Sequence, residues 1–202
     1  MTKILVPVGR LARWVDNFRT RHGETTLSVV DGALAGTAAD GSSFSARLPF
    51  DATYAGSADA GVFAEAVVVP PTWGVLLVRK GGFAVARLTG RELAEHKIGQ
   101  RHVQGRTKAG GQSQQRFARR RDNQARAAYE AAADHAARIL GGTTMPLVTG
   151  GDHAAVDEVL GHPRLRRLTV TGPWLAVPDP RRDVLDAAIA DALAVRVAVE
   201  NA

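Results

Sequence analysis

The sequence predicts an α/β or mixed α+β domain layered around a mixed sheet, and three observations predict it. Short β-branched and apolar runs alternate with helical stretches through the second half of the chain. Residues 113–140 keep one helical apolar period without a break. Glycine pairs and Asp-Gly steps stand where one element must hand over to the next. With 202 residues, 45% hydrophobic and 23% charged, the chain can bury a real core.

Residues 9–21 place Leu11, Trp14, Val15 and Phe18 at i, i+3, i+4 and i+7, the stripe of an amphipathic helix. Trp14 and Phe18 are read as core. Residues 25–30, 33–37 and 44–48 read as strands, with turns at Asp31-Gly32 and Asp40-Gly41. Residues 49–61 are small and polar, which sets a boundary there. An N-terminal helix-and-strands extension is expected over 1–60 and a second domain over 61–202.

In that domain, 67–69 and 74–78 read as strands around Pro70-Pro71, and Gly81-Gly82 turns the chain into a strand at 83–88. Residues 89–112 have little apolar period and are expected to form one long functional loop. The helix over 113–140 buries Phe117, Ala125, Ala128, Tyr129, Ala132, Ala136 and Ile139 and stops at Gly141-Gly142. Its wet side is expected to pair Asp122 with Arg126, Arg126 with Glu130, and Asp134 with Arg138. A strand at 147–149 leads into a short helix capped by Asp152 and ended by Gly161. A strand follows at 168–171. Leu185, Ile189, Leu193 and Val197 then mark a last helix over 182–198.

Several function classes are excluded early. The absence of cysteine removes a disulfide framework, thiol catalysis and thiolate metal sites, and it fits a reducing cytoplasm. The most apolar stretch, 64–78, is broken by two prolines and is too short to span a bilayer. The first eight residues lack a signal-peptide pattern. A cytoplasmic protein without a membrane partner is expected. Asp152-His153 and His162 have no further ligands at metal spacing, so no metal or other cofactor is expected.

Charge gives the chain an address. The net charge is +6, yet residues 97–126 hold nine basic residues against one acid, +8 in all, which leaves the remainder at −2. Arginine outnumbers lysine 22 to 4, a compositional bias that weakens arguments from any single arginine but not from their clustering. A near-neutral chain with one intensely basic segment addresses polyanions.

Inside that segment Gly110 and Gly111 precede Gln112, with Arg106 and Lys108 before them and Arg116, Arg119, Arg120 and Arg121 after. Glycine lets main chain approach a ligand closely. The four arginines crowd the positive end of a helix dipole, which costs stability unless an anion compensates. Gln112 does not titrate, so it is no ordinary general base. It can position a water, and its backbone N–H can stabilise an oxyanion or a departing alkoxide. Such catalysis suits a labile bond, for which an aminoacyl ester on a tRNA 3′ ribose qualifies. The alternative is a plain surface turn, since Gly-Gly is a common turn former. A serine nucleophile elbow is set aside, because the closing glycine after Ser113 is missing and Ser113 is placed as the helix N-cap. His96 and His102 are read as solvated, and Arg164, Arg166 and Arg167 either extend an RNA footprint or line a solvated strand edge.

Gly-Gly-Gln-Ser-x-x-Arg-Phe-Ala-Arg-x-Arg at the head of a long helix resembles the Gly-Gly-Gln domain of the eukaryotic and archaeal class I release factors. The order of elements from about Val62 to Ala202 is similar too, which implies that domain's ribonuclease-H-like mixed sheet. The chain is shorter than those factors and shows no stop-codon-recognition motif. It therefore most resembles the stand-alone branch related to the eukaryotic ribosome-quality-control tRNA hydrolase, with its actinobacterial peptidyl-tRNA hydrolases. The resemblance implies codon-independent hydrolysis of peptidyl-tRNA, with Gln112, Gly111 and Gly110 catalytic. It implies that Arg106, Lys108, Arg116, Arg119, Arg120 and Arg121 hold phosphates. The implied partners are peptidyl-tRNA and the large ribosomal subunit with its RNA. A tRNA 3′-end nuclease and a non-catalytic ribosome-binding module are the alternatives.

Overall fold

A computed structural model describes residues 1–100 and 112–202, with 112–125 described as backbone only. The chain forms two compact units, Met1–Val69 with Ile189–Ala202, and Pro70–Ala188. The first takes in the C-terminal segment, which the division at 1–60 and 61–202 assigned to the other domain.

The first unit opens with strand β1, Thr2–Val6, and helix α1, Leu11–His22. Strands β2, Thr25–Val30, β3, Ala33–Ala38, and β4, Ser43–Arg47, follow as antiparallel neighbours. Asp31 and Gly32 both take positive φ between β2 and β3, the backbone twist that a two-residue hairpin needs. Leu11, Val15 and Phe18 of α1 are buried, and the Trp14 ring meets the Phe44 ring edge-on at 5.1 Å. Thus the predicted stripe faces the core.

Helix α2, Ala60–Glu65, sits where the sequence read only a boundary. Asp59 caps it, its carboxylate accepting the Gly61 and Val62 backbone N–H groups at 2.8 and 2.9 Å. One turn and a half of small residues carries too little periodicity to be seen, yet its Phe63 is fully buried. Residues 67–69, expected as strand, are not strand. Pro70 and Pro71 have no N–H to give a ladder, so pairing starts after them.

The second unit holds strands β5, Thr72–Arg79, β6, Gly82–Thr89, and β7, Glu92–Gln100, then helix α3, Gln112–Ile139. Strand β8, Pro146–Gly151, helix α4, His153–Leu160, and strand β9, Thr169–Leu175, complete its sheet. The order is β7-β6-β5-β8-β9, with β5–β7 antiparallel and β5, β8 and β9 parallel. This is the strand order of a ribonuclease-H-like mixed sheet. One face packs Leu76, Val78, Phe83 and Val85 against Ala132, Ala136 and Ile139 of α3 and Val156 and Val159 of α4. Alanine on α3 lets the helix lie close to the sheet.

Helix α5, Arg182–Ala192, is shorter than the helix expected over 182–198. The chain turns at residues 193–194 and returns as strand β10, Val195–Glu200. Leu193 and Val197 fit a helical stripe, but Val195, Val197 and Val199 also alternate with period two. Pairing decides between them: β10 lies between β1 and β4, antiparallel to both. β1 and β10 are thus neighbours in a sheet ordered β1-β10-β4-β3-β2.

Candidate nucleic-acid interface

β7 leads into the Gly-Gly-Gln segment and α3 leads out of it, so these two elements set its stem. Of the stretch 89–112 expected as one long loop, residues 92–100 are instead β7, and 101–111 lie outside the described residues. β7 ends the sheet order, and its exposed Glu92, His96, Lys97 and Gln100 are what a soluble edge strand presents. That polarity erased the apolar alternation.

Side chains from three elements tie the stem together. Gly99 pairs with Phe83 in register, and a Cβ there would run into the Phe83 ring, so only glycine lets the ring lie flat. That ring stacks on His135 of α3, with centroids 5.6 Å apart and planes inclined by 27°. Glu95, meanwhile, faces both Arg138 of α3 and Arg87 of β6 at 2.5 and 3.4 Å. The Arg138 hydrogen bond, and secondly that from Arg87, holds the Glu95 carboxyl below its ordinary range, so it stays ionised. Arg138 therefore spans to β7 instead of making the expected i,i+4 pair with Asp134. No sequence signal marked Phe83, Glu95, Gly99 or His135 for this task. A lone glycine in a polar run was the one available hint.

α3 is described from Gln112 onward, so Ser113 lies within the helix and is not its N-cap. The backbone N–H groups of a first helical turn have no intrahelical acceptor. No acidic residue lies in that turn, so nothing acidic there offsets the dipole. Positions 112, 116, 119 and 120 stand at i, i+4, i+7 and i+8, one face of the helix, opposite by helical period to Ala128, Ala132 and Ala136. Position 121 falls on the side of the buried stripe. Between Gln112 and Ala128 the helix rises about 24 Å. Gly110, Gly111, Arg106 and Lys108 lie outside the described residues, as do the side chains of Gln112, Arg116, Phe117, Arg119, Arg120, Arg121 and Ala125.

The remaining polar candidates have structural tasks. His96 Nε2 lies 3.2 Å from Arg182 of α5, which also holds Asp186, so His96 is not simply solvated. Asp152 caps α4 as expected, accepting the Ala154 N–H at 3.1 Å. His153 stacks on Trp174 with ring centroids 3.5 Å apart. His162 Nδ1 accepts the Arg164 backbone N–H at 3.2 Å. His102 lies outside the described residues. Among the described residues no three ligand-type side chains cluster to hold a metal ion, and no helix is long and apolar enough to cross a membrane.

A family model described as Actinobacteria/chloroflexi VLRF1 release factor matches residues 71–198, most of the chain and nearly all of the second unit. The chain belongs to that family. No curated protein matches it.

Proposed function

We propose that this release-factor-like chain hydrolyses the ester bond of peptidyl-tRNA, independently of any codon, on stalled or split large ribosomal subunits in the cytoplasm. The observation that supports the reading is that Gln112, which follows two glycines in the sequence, lies in the long basic helix α3. In this reading backbone N–H groups at the head of the helix meet an oxygen that gains negative charge.

In this reading Gly110 and Gly111 let the main chain press against the 3′ ribose. The Gln112 amide orients a water toward the ester carbonyl. Water oxygen bonds to the carbonyl carbon, and the negative charge that develops on the carbonyl and ribose oxygens is met by backbone N–H groups. The carbon–oxygen bond to the ribose then breaks, a proton from the water ends on the ribose oxygen, and peptide acid leaves. Positioning and electrostatics suffice for a bond this labile. Arg106, Lys108, Arg116, Arg119 and Arg120 hold phosphates of the acceptor end or of ribosomal RNA, and Arg121, placed by helical period on the side of the buried stripe, is not one of them.

The test is peptide release from isolated large subunits carrying labelled peptidyl-tRNA. Wild type is expected to release the peptide. Gly111→Ala adds one methyl where main chain must approach the substrate, and it is expected to abolish release with an unchanged thermal transition. Full activity in Gly111→Ala would remove the close-approach mechanism.

A further inference from the structure

The turn between α4 and β9 carries Arg164, Arg166 and Arg167, three exposed arginines within four residues. Four other arginines of the second unit sit against carboxylates, Arg79 against Asp179, Arg87 and Arg138 against Glu95, and Arg182 against Asp186, while among the described residues Arg91, Arg126 and Arg181 do not. Among the described residues Arg164, Arg166 and Arg167 have no such partner either, and Asp157 and Glu158 of the preceding helix form no ion pair with them. The turn itself is held firmly. Leu165 is buried in the core between the arginines, His162 Nδ1 takes the Arg164 N–H, and the Arg164 carbonyl accepts the Gly142 N–H at 3.3 Å. A side chain driven inward and two backbone bonds thus present three cations outward from a fixed frame.

The place of this turn along α3 gives the scale. Gly142 lies just beyond the end of α3, and Gln112 is the first described residue of that helix. The 28 residues of that helix rise roughly 40 Å. One polyanion that meets both ends must be longer than a few unpaired nucleotides. Residues 161–168 contain no Phe, Tyr or Trp, so the turn suits backbone phosphates better than splayed bases.

We propose that Arg164, Arg166 and Arg167 form a second phosphate-holding site in this unit, and that it takes the double-helical arm of the tRNA whose 3′ end lies at Gln112. The inference rests on the hydrolase reading above for the place of the 3′ end. It makes the enzyme a reader of tRNA length, with chemistry at one end of α3 and a phosphate anchor at the other.

The experiment compares wild type with the triple variant Arg164→Ala, Arg166→Ala, Arg167→Ala on two substrates. One is full-length peptidyl-tRNA, and the other is the same peptide esterified to a short CCA-ended oligonucleotide. For the full-length substrate the variant is expected to raise KM about tenfold or more with kcat little changed, and for the short one to change neither. The salt dependence of uncharged tRNA binding is expected to fall in slope by about 0.7 to 0.9 for each phosphate the variant no longer holds. An unchanged KM on full-length substrate overturns the proposal, as does an equal loss on both substrates. Unaltered tRNA affinity with weakened binding to large subunits would assign the site to ribosomal RNA instead. If wild type cleaves neither substrate, the hydrolase reading fails, and the binding arm alone decides the arginine site.

Discussion

If Gln112 acts as proposed, through orientation and through its backbone N–H, its side chain should matter for turnover and little for affinity. Gln112→Ala should lower single-turnover release by roughly tenfold to a thousandfold with tRNA Kd nearly unchanged. Filter binding beside a release assay separates the two. Equal turnover would remove the amide from the mechanism. Glu95 gives a prediction of another kind. Its folded carboxyl titrates below its ordinary value of 4.5 because Arg138 and Arg87 favour the anion. The stabilisation is thus complete above that value and is lost as pH falls through the lower, folded one. The thermal transition of wild type should converge on that of Glu95→Gln as the pH drops below 4.5. A constant gap between the two down to strongly acid pH would contradict the pairing.

Among the elements, α3 was the most legible. Its stripe Ala128, Ala132, Ala136 and Ile139 is buried where the period put it, and Gly141-Gly142 ends it. β7 was not legible, because an edge strand beside the basic segment is polar and its one buried-side constraint, Gly99 against Phe83, lies in a partner strand. β1 and β10 escaped for a related reason. Each is specified by pairing with the other, from opposite ends of the chain. The Gly-Gly-Gln segment is read from local order and composition alone; its flanking contacts were not legible, since Glu95, Arg87 and Arg138 meet only after folding. On α3, positions 119 and 120 share the Gln112 face. Arg119→Ala with Arg120→Ala should flatten the salt dependence of RNA binding by about one unit for each phosphate left unneutralised. A slope indifferent to both changes would place the footprint elsewhere.

At the scale of the molecule, the chain leaves its first unit after Val69, builds the second, and comes back to supply β10. β10 is an inner strand of the first unit's sheet, with Val197 fully buried between β1 and β4. Val197→Asp would bury an unpaired charge, a change that costs several kcal/mol in a core. Hydrogen exchange should then show lost protection in β1, β4 and β10 ahead of any loss in β5, β6 and β8. Protection retained in β1 and β4 would contradict the role given to β10.

Which bond is cut decides what this protein does, and the 3′ end of the product reports it most directly. Wild type should be incubated with large subunits carrying peptidyl-tRNA labelled in both peptide and RNA, and the released tRNA sequenced at its terminus. Ester hydrolysis leaves deacylated tRNA with an unbroken CCA and a free 3′-hydroxyl, and that is the predicted product. A shortened tRNA, with the peptide still esterified to the nucleotides removed, would mean phosphodiester cleavage and contradict ester hydrolysis.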